Sequence, residues 1–274
     1  MKEIPIPTLH LFEPLEQKLI ELLQSLSPAE WKQPTVARLW NVKDVAAHLL
    51  DTSIRTFAMA HQYSGDPPEP INSYEDLVGY LNRLNAEWVK AMKRVSPQLL
   101  IELLKLTQKP MIDYYRSLDP WALALFPVSW AGQVESFNWF HLAREYTERW
   151  HHQQQIRDAV HRDGIMERRF YFPMIDTFMQ ALPHAYRTVP AAEGTLVTVI
   201  IEGPTGGSWT IQRQKSGWEF VQGQTGNTVM TMPPDVAWKL FTKAYTQDTA
   251  RNLISITGNV NLGLPILKMV SVMA

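Results

Sequence analysis

Glu145-Tyr-Thr-Glu148-Arg-Trp-His151-His152-Gln-Gln-Gln155-Ile-Arg157 is the stretch on which the reading of this chain turns. It has the residue types of a helix and no glycine or proline to break one. Successive helical residues rotate by ~100°, so Glu148 and His152 lie one turn apart on a single face. A carboxylate and an imidazole at that spacing can grip one divalent ion. His151 points ~100° away from His152 and is expected at the surface. His141 and Glu145 share the stripe, so they form a second candidate pair. Two ligands rarely suffice, and the best third donor is His48, in Trp40-Asn-Val-Lys-Asp44-Val-Ala-Ala-His48-Leu-Leu-Asp51. Asp44 and Asp51, at i−4 and i+3, are placed to orient the His48 ring. Gln155, one turn beyond His152, is expected to touch the ligand set or a substrate.

The wider sequence supports a helical setting for these motifs. Leu15, Leu19, Ile20, Leu22, Leu23 and Leu26 form a helical stripe over Leu11 to Leu26. A second helix is predicted from Val42 towards Tyr63, then a loop over Gly65 to Pro70. A third runs from the cap Ser73 to about Val95, followed by shorter pieces at Pro97 to Leu106 and Lys109 to Leu118. The long helix carrying the opening motif is predicted over Gln133 to Arg162, and one more over Phe172 to Tyr186, interrupted at Pro183. From about Glu193 the texture becomes β-branched and turn-rich. Strands are predicted at Thr195 to Glu202, Ser208 to Arg213, Trp218 to Val221, Thr228 to Met232 and Leu253 to Thr257. Helices are predicted at Asp235 to Tyr245 and from Pro265. The fold class is therefore α+β, with the boundary near 188–193: a helical bundle over 1–190 and a small antiparallel α/β domain over 191–274.

Composition narrows the function. With 26 basic and 27 acidic residues and no block of like charge, nucleic acid is a poor partner. No apolar run reaches the roughly 20 residues of a membrane span, and the N-terminus has no signal-peptide core. A cytoplasmic protein acting on a small molecule is expected. The chain has no cysteine, which removes disulfides, thiolate ligands and a cysteine nucleophile. Any thiol chemistry would need a thiol brought in as a cofactor. Histidine and carboxylate donors leave a zinc-like ion with an open position, the mark of catalytic rather than structural sites.

The first half resembles the DinB-like four-helix bundle family, in particular its branch of thiol-dependent maleylpyruvate isomerases. The resemblance lies in Trp31-x-x-Pro34-Thr35, Trp40-Asn-Val-Lys-Asp-Val-Ala-Ala-His48-Leu and Glu148-x-x-x-His152-x-x-Gln155-Ile156-Arg157. It implies a divalent metal, commonly zinc, held by His48, Glu148 and His152. The second half looks like the sterol-carrier-like α/β domain of those isomerases, through Gly-Gly-Ser-Trp209 to Gly217-Trp218, Asp235-Val-Ala-Trp238 and Gly258-Asn259. Where relatives carry an arginine after the leucine-rich helix, this chain has Thr242-Lys243-Ala244. The resemblance implies an enzyme of the low-molecular-weight thiol transferase or isomerase type, in which a metal-bound thiol or water attacks an electrophilic small molecule. Arg157 and Lys243 are the candidates for binding substrate or cofactor carboxylates, and Arg157 otherwise reads as a solvated helix face. Family members often form homodimers. The rival reading is a non-catalytic protein that binds an apolar ligand, lined by Trp209, Trp218 and Trp238, with a vestigial or structural metal site.

Overall fold

The computed structural model describes residues 2–63 and 70–272. Most of the loop expected over Gly65 to Pro70 lies outside the described residues. The chain packs as two compact units.

The helical unit comprises Thr8–Ala122 and Glu148–Ile165. It holds α1 (Phe12–Ser25), α2 (Val42–Ala60), α3 (Tyr74–Met92), α4 (Pro97–Ser117) and the C-terminal part of α5 (Asn138–Ala159). α2 begins where local chemistry starts it. Pro34 and Asn41 form an isolated bridge, and Asn41 and Asp44 exchange side-chain bonds with each other's backbone N–H in a capping box. Leu19, Leu23, Val45, Leu49, Leu100 and Leu104 pack into one core, the buried stripes of α1, α2 and α4 meeting as the apolar spacing requires.

The helical expectations need correction at three places, the first being the long helix predicted over Gln133 to Arg162, which is α5 and begins only at Asn138. The pieces predicted at Pro97 to Leu106 and Lys109 to Leu118 are one helix, with Pro110 inside it. Pro110 lacks an N–H to donate, but buried Leu104, Thr107, Met111 and Ile112 on both sides of it hold the helix together. The helix predicted over Phe172 to Tyr186 is instead α6 (Arg168–Met179) and α7 (Leu182–Ala185). The break falls at Gln180-Ala181, and Pro183 sits in the first turn of α7, where its missing donor costs nothing.

The second unit comprises the residues up to Pro7 together with Leu123–Thr147 and Met166–Val272. It contains β1 (Leu196–Ile201), β2 (Gly207–Arg213), β3 (Trp218–Val221), β4 (Thr228–Met232), α8 (Pro234–Phe241), α9 (Gln247–Arg251), β5 (Ser255–Thr257) and α10 (Val260–Gly263). The change of texture near 188–193 marks the onset of strands, yet the units interleave along the chain, because α6 and α7 pack in the unit of the sheet. The architecture is nonetheless an N-terminal helical part followed by an α/β part. The sheet order is β3-β2-β1-β4-β5. Three pairings are antiparallel, but the central β1 and β4 run parallel, so the sheet is mixed. A parallel pair needs a crossover rather than a hairpin, and here β2 and β3 intervene.

Gly258 follows β5 with φ +79, and a Cβ there would lie 2.0 Å from the Asn227 carbonyl oxygen. At Gly194, φ is +85 but a Cβ meets nothing. Gly258→Ala is expected to lose about 2–4 kcal/mol by urea unfolding, against about 1 kcal/mol for Gly194→Ala. Equal losses would mean that the backbone contact at Gly258 carries no weight.

Candidate functional site

α5 brings the opening motif together within the helical unit. The His152 Nε2 lies 3.6 Å from Glu148 Oε2, and the His151 Nε2 lies 4.0 Å from the same oxygen. Donor atoms of Glu148, His151 and His152 all fall within 4.8 Å of one another. From α2, the His48 ring approaches the His152 ring edge-on at 4.6 Å between centroids. The indole of Trp40 lies 4.9 Å from His48 and 6.2 Å from His152, forming an aromatic wall to the pair. The two helices named in the sequence therefore do meet.

His151 is not at the surface. It is 3% exposed and its ring lies 3.9 Å from that of His152. Its Cα lies ~100° round the helix from that of His152, but the side chain of a histidine is long enough to lean back toward Glu148 one turn earlier. It is thus a donor that spacing alone did not select.

The electrostatics suit neutral donors. His48 is 6% exposed, and burial, then the neighbouring His152, Arg55, His151 and Arg149, hold its pKa well below the ordinary imidazole range. Its Nδ1 is buried without a hydrogen-bond partner, the kind of orphan that demands a physical explanation. His152 Nδ1 meets Gln155 Oε1 at 2.9 Å. With the amide oxygen accepting, the ring proton sits on Nδ1 and the lone pair on Nε2 faces Glu148. Gln155 therefore contacts His152.

Asp44 and Asp51 do not orient His48. Asp44 is used in the capping box and accepts a bond of 2.6 Å from Lys93. Asp51 pairs with Arg55 at 3.0 Å; burial raises its pKa against the lowering effect of that guanidinium. A local cap and an i, i+4 partner reached these carboxylates first. The alternative pair is also spoken for. In the second unit, Arg144 Nη2 lies 2.6 Å from His141 Nδ1 and 2.7 Å from Glu145 Oε1. A fixed guanidinium between the two disfavours a second cation there.

Arg157 is buried rather than solvated. It donates to the carbonyls of Asp163 and Lys18 at 2.5 and 3.0 Å, and lines a cleft of about 270 Å³ with Lys18, Glu21 and Arg162. Its guanidinium holds the chain after α5 against α1. Lys243 belongs to the other unit, where it is exposed at the end of α8 with φ +62. Trp209, Trp218 and Trp238 are buried, and their indole N–H groups donate to Asp176, the Val189 carbonyl and Asp235. Each is a satisfied packing residue.

Fold and site together define a helical-bundle protein with a convergent histidine–carboxylate donor set, joined to a small α/β unit. Residues 12–157, more than half of the chain, match the family model of the mycothiol maleylpyruvate isomerase N-terminal domain, and the chain belongs to that family. Among solved structures it is similar to the mycothiol-dependent maleylpyruvate isomerase, at 14% identity and TM-score 0.55 over 90% of each chain. A histidine-to-alanine mutant of such an isomerase gives 12% identity, with the same TM-score of 0.55 and 90% coverage of both chains. At these identities the likeness speaks for the fold. No curated protein matches the chain. Among the described residues, no helix is long and apolar enough to cross a membrane.

Burial, with Arg144 next, lowers the pKa of His141 to about 4, outweighing Glu145. An unfolded histidine titrates near 6.5, so between these values the unfolded chain binds more protons. Stability is then complete above about pH 6.5 and is lost as pH falls towards 4, by roughly 3 kcal/mol for this group. Urea unfolding at pH 6.5 and 5 is expected to show the loss, with His48 adding in the same direction. His141→Asn should flatten the slope; an unchanged slope would show that His141 does not drive it.

Proposed function

We propose that this protein is a metal-dependent enzyme that uses a low-molecular-weight thiol to isomerise, or transfer onto, an electrophilic small molecule. The observation that carries the proposal is the approach of the His48 ring of α2 to the His152 ring of α5, whose Nε2 lies beside Glu148. The family name supplies the thiol class, mycothiol.

The residues fit a divalent ion of the zinc type. His48 offers a neutral imidazole with an orphaned buried nitrogen, Glu148 a carboxylate that is 22% exposed, and His152 a lone pair fixed by Gln155. Two imidazoles and one carboxylate are a set found in catalytic zinc sites, and they leave a position open. Such an ion, when bound, supplies a Lewis acid that lowers the pKa of a thiol or water to near neutrality. Glu148 supplies the negative charge that offsets the ion, and its partial exposure marks the side from which a small molecule gains access. Trp40 covers the two imidazoles and excludes water from their apolar flank. With no cysteine in the chain, no protein thiol competes with the incoming one, and the sulfur nucleophile must come from the cofactor. Arg157 supports the site by anchoring the end of α5, and Lys243 is a candidate for cofactor or substrate carboxylates.

Elemental analysis of untagged protein is expected to find about one zinc-like ion per chain, lost in His48→Ala. Turnover of an electrophile should require both the thiol and the ion, and cease with chelator. Absence of metal after incubation with zinc, nickel and manganese would remove this mechanism. Chelator-insensitive binding of apolar ligands would favour the carrier reading instead. Gln155→Ala should weaken metal binding by roughly 10–100-fold, the usual effect of losing a partner that orients a ligand; an unchanged affinity would show that His152 needs no such support.

A further inference from the structure

Next to Glu148 on α5 lies a buried cation that reaches across to α1 and α2. Arg149 is 2% exposed, as is Glu16 on α1. The guanidinium Nε and Nη2 donate to the two carboxylate oxygens of Glu16, each at 2.5 Å. Its remaining nitrogen, Nη1, donates to α2: to the Leu49 carbonyl at 2.6 Å, Ser53 Oγ at 2.9 Å and Thr52 Oγ1 at 3.0 Å. One planar cation thus ties three helices, and it does so one residue from Glu148 on α5 and one residue from His48 on α2.

We propose that Arg149, held by Glu16, is the positioning residue of the metal site: it sets the register and rotation of α2 against α5 so that the His48 ring faces His152. The proposal rests on the metal reading above. Packing alone does not require this pair. Taking two ions out of water costs several kcal/mol each, and apolar residues of similar size often hold such positions as well or better. What an apolar pair lacks is direction. Leu–Leu contacts tolerate a slide or a rotation of one helix on another, whereas a planar five-donor fork fixed at both ends does not. Metal ligands need placement to within about 0.5 Å, and the third ligand here comes from a different helix. The clamp and the donor set share a single turn of each helix, so an error at the clamp is transmitted to the ligands with little attenuation.

The test uses zinc alone, measured by chelator competition, and the absorption spectrum of the cobalt-loaded full-length chain. All measurements are made at a temperature where circular dichroism shows each metal-free variant folded. Glu16→Met/Arg149→Met is expected to fold with thermal stability near that of the parent, to bind zinc at least tenfold more weakly, and to give an altered cobalt spectrum. Thr52→Ala/Ser53→Ala keeps the ion pair and loosens only its grip on α2; it should weaken zinc severalfold. Leu104→Ala, a core cavity in α4, should lower the melting temperature and leave zinc affinity and the cobalt spectrum unchanged, since a merely structural loss does not move them. Parental zinc affinity and cobalt spectrum in both double variants would overturn the positioning role while leaving the metal reading intact. Absence of zinc binding in the parent would overturn both. Should the methionine pair fail to fold, the Thr52/Ser53 variant decides alone.

Discussion

The guanidinium of Arg149 occupies a space in the helical unit where an apolar side chain would be expected, and five hydrogen bonds hold it there. A buried cation is tolerable only when every donor is directed at an acceptor. Glu16, Leu49, Thr52 and Ser53 therefore have to be where they are. That requirement locks α1, α2 and α5 in one arrangement. The same row of α5 continues the polar seam: Gln153 donates to the Leu15 carbonyl and Arg157 to the Lys18 carbonyl. At i, i+4 and i+8 the three side chains face α1 together. Side chain to backbone bonds of this kind fix register without depending on which apolar residues fill the rest of the core.

α5 consequently departs from the usual amphipathic helix. Thr147, Arg149, His151, His152, Gln153, Gln154 and Gln155 are all buried, and the helix has no broad apolar stripe. A helix that is polar on most faces and buried on most faces has a costly interior unless it is hydrogen-bonded throughout. On one side that need is met in part by the seam with α1 and by the Arg149 clamp, while Gln153 Oε1 and Arg157 Nε stay buried without a partner. On another it is met by Gln155 on His152 and by the close approach of Glu148 to both histidines. The orphaned Nδ1 of His48 stands on this second side, beside the donor set.

Membership of the mycothiol maleylpyruvate isomerase N-terminal domain family fits an arrangement in which the protein contributes oxygen and nitrogen donors and no sulfur. The bundle brings imidazoles and one carboxylate together, and the chain has no cysteine to add to them.

The residues by themselves determined the helices whose apolar spacing is regular, the strand-rich C-terminal part, and the pairing of Glu148 with His152, because 3.6-residue periodicity is a local property that needs no partner. Strands β3 and β4 fall at the predicted residues, Trp218–Val221 and Thr228–Met232. Tertiary structure alone decided the continuity of α4 through Pro110, the parallel β1–β4 pair, and the burial of His151 and Arg157. Each of these depends on which group lies across the interface, and a charged side chain reads the same in sequence whether it meets water or a carbonyl. Arg149 is the clearest case. Nothing in its spacing sets it apart from a solvated helix residue, and only the approach of α1 and α2 made it the residue around which the helical unit is built.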